Sequence, residues 1–143
     1  MPKFTEWLFS TKQQREAWVA ERMDNAPEVH LAADVDTAVA GTSLRQDAIP
    51  AEGGYTFELV PEPTNRVDRN AIKVMHQGAQ VGYLRAETAA WYGDLVRRHV
   101  AGHAVVHVSG EVRPTGRDGE RWVLVYLPRL GREAAHDGSA SVS

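Results

Sequence analysis

The residues best suited to chemistry gather in one run of this 143-residue chain, PEPTNRVDRNAIKV from Pro61 to Val74. Asn65, Asp68 and Asn70 interleave there with Arg66 and Arg69. Short polar side chains in such a loop either accept hydrogen bonds from their own backbone, closing Asx-type turns, or offer hydrogen bonds to a ligand. Turn-making is the first role expected of Asn65 and Asn70. Arg45, Arg66, Arg69 and Arg85 form a local basic patch around the same loops. Guanidinium groups so placed can contact phosphate or lie flat on a base, and they are equally what a solvated surface looks like.

Other constellations are poorer in chemistry. His99, His103 and His107 recur every four residues, which on one helix would align them as metal ligands. Gly102 and the β-branched Val105, Val106 and Val108 break such a helix, so one histidine is expected at a helix end and two on the exposed face of a strand. The acid pairs Asp34 with Asp36 and Asp118 with Glu120 fall in expected loops, where solvation explains them without a two-carboxylate mechanism. No GxGxxG, GxxxxGK[ST], GxSxG or HExxH occurs, so the machinery of dehydrogenases, P-loop enzymes, α/β-hydrolases and zinc proteases is missing. Trp91 and Trp122 are expected to anchor the core.

Composition sets the bounds. The length and 43% hydrophobic content suit one ordinary core. The absence of cysteine excludes disulfides, thiolate nucleophiles and Cys-ligated zinc, and fits a reducing cytoplasm. The N-terminus MPKFTEWLFSTKQQ has no uninterrupted apolar core of a signal peptide, and no stretch reaches the roughly 18 apolar residues of a membrane span. With 16 Lys and Arg against 19 Asp and Glu, the formal charge is -3, so any contact with phosphate has to be local.

The elements that would position these residues follow from periodicity. An amphipathic helix is predicted over residues 10–24, capped by Ser10, and a loop from Asn25 to Asp36. Strands are predicted over Thr37–Ser43 and Tyr55–Val60, then a hairpin of Ala71–His76 and Gln80–Leu84 in which Gly78 supplies a positive φ. Ala89, Tyr92, Leu95, Val96 and Val100 mark a helix over Thr88–Val100 that stops near Gly102. A last hairpin joins Ala104–Val112 to Arg121–Leu127 through Asp118-Gly119. The result is a mostly β, α+β fold: a small OB-like or SH3-like barrel of about six strands with one crossing helix, plus an N-terminal helix and a disordered C-terminal tail. The corresponding division is 1–35 helix and linker, 36–128 barrel domain and 129–143 tail.

The Pro61–Val74 run followed by QVGYL at Gln80–Leu84 resembles the signature of HIRAN domains: an acidic-Pro dipeptide, Asn, Asp, Asn-Ala-Ile-x-Val, then a Val-Gly-Tyr-Leu strand before a helix. The resemblance extends over roughly residues 36–128 and includes a Val-Ala-Gly opening strand at Val39–Gly41. It implies a modified OB-like barrel and, from the copy fused to an animal SWI/SNF-type fork-remodelling helicase, capture of single-stranded DNA with a free 3′ hydroxyl. Asp68 matches the position that accepts a hydrogen bond from that hydroxyl; a carboxylate there would repel an internal phosphate. Two aromatic residues that stack on bases in the DNA-binding member are replaced here by Leu44 and Val67. Stacking contributes ~1–3 kcal/mol per base, so another ring would have to substitute, and Tyr83 occupies a position that looks ligand-facing in the family.

The expectation is therefore a non-enzymatic, cytoplasmic, monomeric module that binds single-stranded DNA or 3′ ends through Asp68, Asn65, Tyr83, Arg66, Arg69, Arg85 and Arg45. No metal, cofactor or membrane is expected to take part. The alternative from another class is an adaptor in which the barrel or the N-terminal helix docks a protein partner.

Overall fold

The computed structural model describes residues 27–130; the predicted N-terminal helix and most of the predicted tail lie outside them. Seven strands form, in chain order β1 (Glu28–His30), β2 (Val35–Ala40), β3 (Gly53–Pro61), β4 (Ile72–His76), β5 (Ala79–Leu84), β6 (Val105–Pro114) and β7 (Arg121–Leu127). One helix, α1 (Ala86–Ala101), stands between β5 and β6. Six strands close a barrel in the order β6-β3-β4-β5-β2-β7, because β7 also pairs with β6, and β1 is added parallel to β6. This is the small, mostly β barrel with a single crossing helix that the strand pattern predicts.

Alternation fills the barrel. Phe57 and Leu59 of β3, Ile72 and Val74 of β4, Val106 and Val108 of β6, and Val123, Val125 and Leu127 of β7 all point inward and are buried. Helix α1 lays Ala89, Tyr92, Leu95 and Val96 against the same core. At 100° per residue those positions share one stripe and Trp91 falls just outside its edge, next to Leu95. Trp91 is accordingly 63% exposed and Trp122 faces outward on β7, so neither is the core anchor expected of it.

Turn chemistry accounts for the connections. Gln77 and Gly78 both adopt positive φ, as a tight two-residue hairpin demands. Helix α1 ends differently from the expectation. Gly102 keeps a negative φ, and the left-handed residue is His103, with its amide bonded to the Val100 carbonyl and the Ala104 amide to the His99 carbonyl. That is a Schellman closure one residue beyond the glycine. His103 therefore sits in a turn rather than on a strand.

Two further expectations are corrected at the N-terminal side. The segment read as a loop before Asp36 contains β1, and the strand read as Thr37–Ser43 ends at Ala40, after which Thr42–Leu44 and Gln46–Ala48 form short 3-10 turns. β1 repairs a seam. β7 pairs with β6 at residues 110–114, and β1 takes the same edge of β6 at residues 105–107. The chain then crosses the gap, since the Leu31 amide bonds the His107 carbonyl of β6 and the Asp34 amide bonds the Leu127 carbonyl of β7. Leu31, 5% exposed, is the side chain that closes the seam from below. Among the described residues no helix is long and apolar enough to cross a membrane.

Removing the Leu31 side chain would leave a cavity at this junction, so Leu31→Ala is expected to cost about 3 kcal/mol in urea unfolding, whereas Val67→Ala, at a residue 96% exposed, should change the midpoint hardly at all.

Candidate nucleic-acid interface

One irregularity aims the outer surface of the sheet. Along β4 and β5 the register runs Lys73 opposite Tyr83 and Val74 opposite Gly82, then shifts so that Met75 lies opposite Gln80, leaving Val81 as an extra residue. Such a bulge reverses the phase of the strand. Val81 and Leu84 both point into the core, and Tyr83 is placed outward beside Lys73. Gly82 is required at the next position, because a Cβ there would collide with the Ala40 carbonyl oxygen and Val39 Cγ1 of the neighbouring strand β2, which pairs with β5.

The loop from Glu62 to Ala71 is built by its own polar side chains. The Glu62 amide bonds the Ala71 carbonyl and closes its ends at 2.8 Å. Asn65 Oδ1 accepts from the amides of Val67 at 2.9 Å and Asp68 at 3.0 Å, so Asn65 is the turn-maker expected of it. The second turn is closed by Asp68 rather than Asn70: Asp68 Oδ1 accepts the Asn70 amide at 2.9 Å. Its other carboxylate oxygen has no partner among the described residues. The turns push Val67 into solvent at the loop tip, where it is 96% exposed.

Loop and sheet are joined through Glu62. Its Oε1 accepts hydrogen bonds from Asn65 Nδ2 and from the Tyr83 hydroxyl, each at 2.8 Å, and Lys73 Nζ lies 4.0 Å from Oε2. The Asn65 bond, then the Tyr83 bond, hold this carboxyl below its ordinary value against the opposing effect of burial, with the charges of Lys73 and Arg45 adding to them. Arg45 lies in the loop after β2. In that loop Leu44 is 86% exposed.

The structure thus brings Asn65 and Tyr83 to one carboxylate, with Lys73 beside it, and sets Asp68 in the same loop; Arg45 makes no ion pair with it. Arg66 and Arg69 are exposed on the same loop, and Arg85 is exposed at the end of β5, where it precedes α1. None of these three is in ion-pair contact with an acid among the described residues. Sequence reasoning missed Glu62 and Lys73 as members of the group. The acidic-Pro dipeptide pointed at Glu62, and the outward phase of Lys73 in Ala-Ile-Lys-Val pointed at the other. The histidines lie apart from this surface: His107 Nδ1 is 3.1 Å from Glu28 Oε1 and His30 Nε2 is 3.0 Å from Ser109 Oγ. No group of His and acidic side chains among the described residues is arranged to hold a metal.

Because the folded state holds Glu62 ionised below its ordinary value of 4.5, this carboxylate stabilises the loop above that pH, and the stabilisation is lost as pH falls through the lower, folded-state midpoint. A carbon-13 NMR titration of the Glu62 carboxyl is expected to give a midpoint below 4.5, raised more by Asn65→Ala than by Tyr83→Phe.

Comparison with known proteins gives two matches. The family profile described as HIRAN domain matches residues 33–122. The crystal structure of the HIRAN domain of human HLTF is 21% identical, with 72% of this chain and 83% of that chain covered at a TM-score of 0.46. No curated protein sequence matches the chain.

Proposed function

This chain belongs to the HIRAN domain family, and from that membership we propose that its barrel is a nucleic-acid-binding module without catalytic activity, directed at single-stranded DNA and its 3′ hydroxyl ends. The observation that carries the proposal is the composition of one surface. Leu44 and Val67, 86% and 96% exposed, occupy the positions that the sequence matches to base-stacking residues, and Val67 shares its loop with Glu62, Asn65 and Asp68, which Tyr83 and Lys73 join from the sheet.

The roles follow from chemistry. Asp68, with one carboxylate oxygen unengaged, accepts a hydrogen bond from a terminal hydroxyl and repels a phosphate in its place. Asn65 and Glu62 hold the turn that presents it. Tyr83, held by its hydroxyl bond to Glu62, supplies the ring that stacks on a base, and Leu44 and Val67 add apolar contact. Arg45, Arg66, Arg69 and Arg85 take the phosphates, which makes binding salt-dependent although the chain as a whole is acidic. DNA repair or replication is the setting this ligand suggests. A second reading, a protein adaptor, is favoured by the exposed Trp91 on the outward face of α1; it would bind without strong salt dependence.

The test is fluorescence anisotropy with a labelled single strand of about 10 nucleotides, within the ~4–16 nucleotides one such fold covers. Binding should weaken steeply with salt, fall at least tenfold on 3′ phosphorylation, and lose that end preference in Asp68→Ala. Each of Arg66→Ala, Arg69→Ala and Arg85→Ala should lower the slope of log affinity against log salt by roughly 0.7. Absence of binding at low salt sinks the proposal in favour of a protein partner.

A further inference from the structure

The loop that carries Leu44 and Arg45 is held by a contact outside the family signature. After Ala38, β2 leaves β7 and turns to β5, pairing Val39 with Leu84 and Ala40 with Tyr83. The start of β7 is thereby left without a neighbouring strand on that side, and the side chain of Gln46 takes the place of one. Gln46 Oε1 accepts the Arg121 amide at 2.9 Å, and Gln46 Nε2 donates to the Arg121 carbonyl at 2.7 Å and to the Thr42 carbonyl at 2.9 Å. Arg121 answers with its guanidinium, donating to the Ile49 carbonyl at 2.8 Å and the Gln46 carbonyl at 3.4 Å. Five hydrogen bonds thus fasten both 3-10 turns of residues 42–48, one amide and one guanidinium supplying most of them.

The clamp carries a penalty. Arg121 Nε is buried without a hydrogen-bond partner, an arrangement that costs stability and that a lysine or an apolar residue would avoid. Ile49 at the end of the segment is buried in the core and Ala48 packs against it, but residues 42–47 add no buried side chain. What residues 42–47 do is present Leu44 and Arg45 to solvent.

We infer that Gln46 and Arg121 are positioning residues for the nucleic-acid site, holding residues 42–49 in the bound arrangement before the ligand arrives; the inference rests on the function proposed above. Ordering this loop in advance spares the ligand the entropy of doing so. Neither residue needs to touch nucleic acid for this effect.

The test uses the full 143-residue chain with Gln46→Ala and, as the milder variant, Arg121→Lys. Amide exchange is read at Leu44, Arg45, Ala48 and Ile49, whose N–H groups close the two turns, and affinity is read with a 3′-hydroxyl, fluorescein-labelled single strand of about 10 nucleotides. Expected are exchange at least tenfold faster at those four amides, affinity about tenfold weaker, and a salt slope unchanged because no phosphate contact is removed. In a Leu44→Ala/Arg45→Ala background Gln46→Ala should then weaken binding no further, which a general loss of stability would not reproduce. Unchanged exchange, unchanged affinity, or a full additional loss in that background overturns the inference. If the unaltered chain binds no oligonucleotide, the proposed function fails and this inference with it. If the unaltered chain binds and the clamp variants bind equally well, only this inference fails.

Discussion

The Glu62 carboxylate accepts one hydrogen bond from a loop side chain and one from a strand side chain, and the candidate site depends on that shared acceptor. Asn65 reaches it from within the 62–71 loop and Tyr83 from β5, with Lys73 and Arg45 adding positive charge from β4 and from the loop after β2. Without an acceptor common to loop and sheet, Asn65 would still fold its turn, but nothing would fix that turn against Tyr83. An ionised acid at the centre also divides the surface electrically. In the proposed function this would keep phosphates to the arginine rim and leave the middle to a hydroxyl.

That acceptor can be shared only because the barrel places its parts accurately. The bulge at Val81 turns Tyr83 outward next to Lys73, and the missing Cβ of Gly82 allows β2 to pair with β5 and close the cylinder. Closure in turn needs the seam between β6 and β7 filled, which the short β1 and the Leu31 side chain accomplish. A local signature of some twenty residues is thus supported by contacts from both ends of the described chain, including Gln46 with Arg121, 75 positions apart.

Legibility in the sequence follows the range of the interaction. The Gln77-Gly78 and Asp118-Gly119 turns and the α1 stripe were readable because backbone geometry and a short period set them within a few residues. β1 was not, since a three-residue strand has no period of its own and exists by pairing with β6, far along the chain. Trp91 and Tyr92 are neighbours, and composition did not say which faced the core; helical phase did. At the site, Asn65 was readable as a turn-maker from its own local bonds. Asp68 displaced Asn70 in the second turn because the acceptor two residues before the amide is the one in reach. The role of Glu62 depends on Tyr83, which meets it only once the bulge has formed.

The surface centred on Glu62 is the one proposed to bind single-stranded DNA ends. An amide-shift titration of the isotopically labelled chain with a short 3′-hydroxyl single strand addresses it residue by residue. The largest shifts are expected at Leu44, Arg45, Asn65, Asp68 and Tyr83, with those at Asp68 diminished when the strand ends in a 3′ phosphate. Shifts centred instead on the outward face of α1 around Trp91, or none at saturating strand, would contradict the proposal.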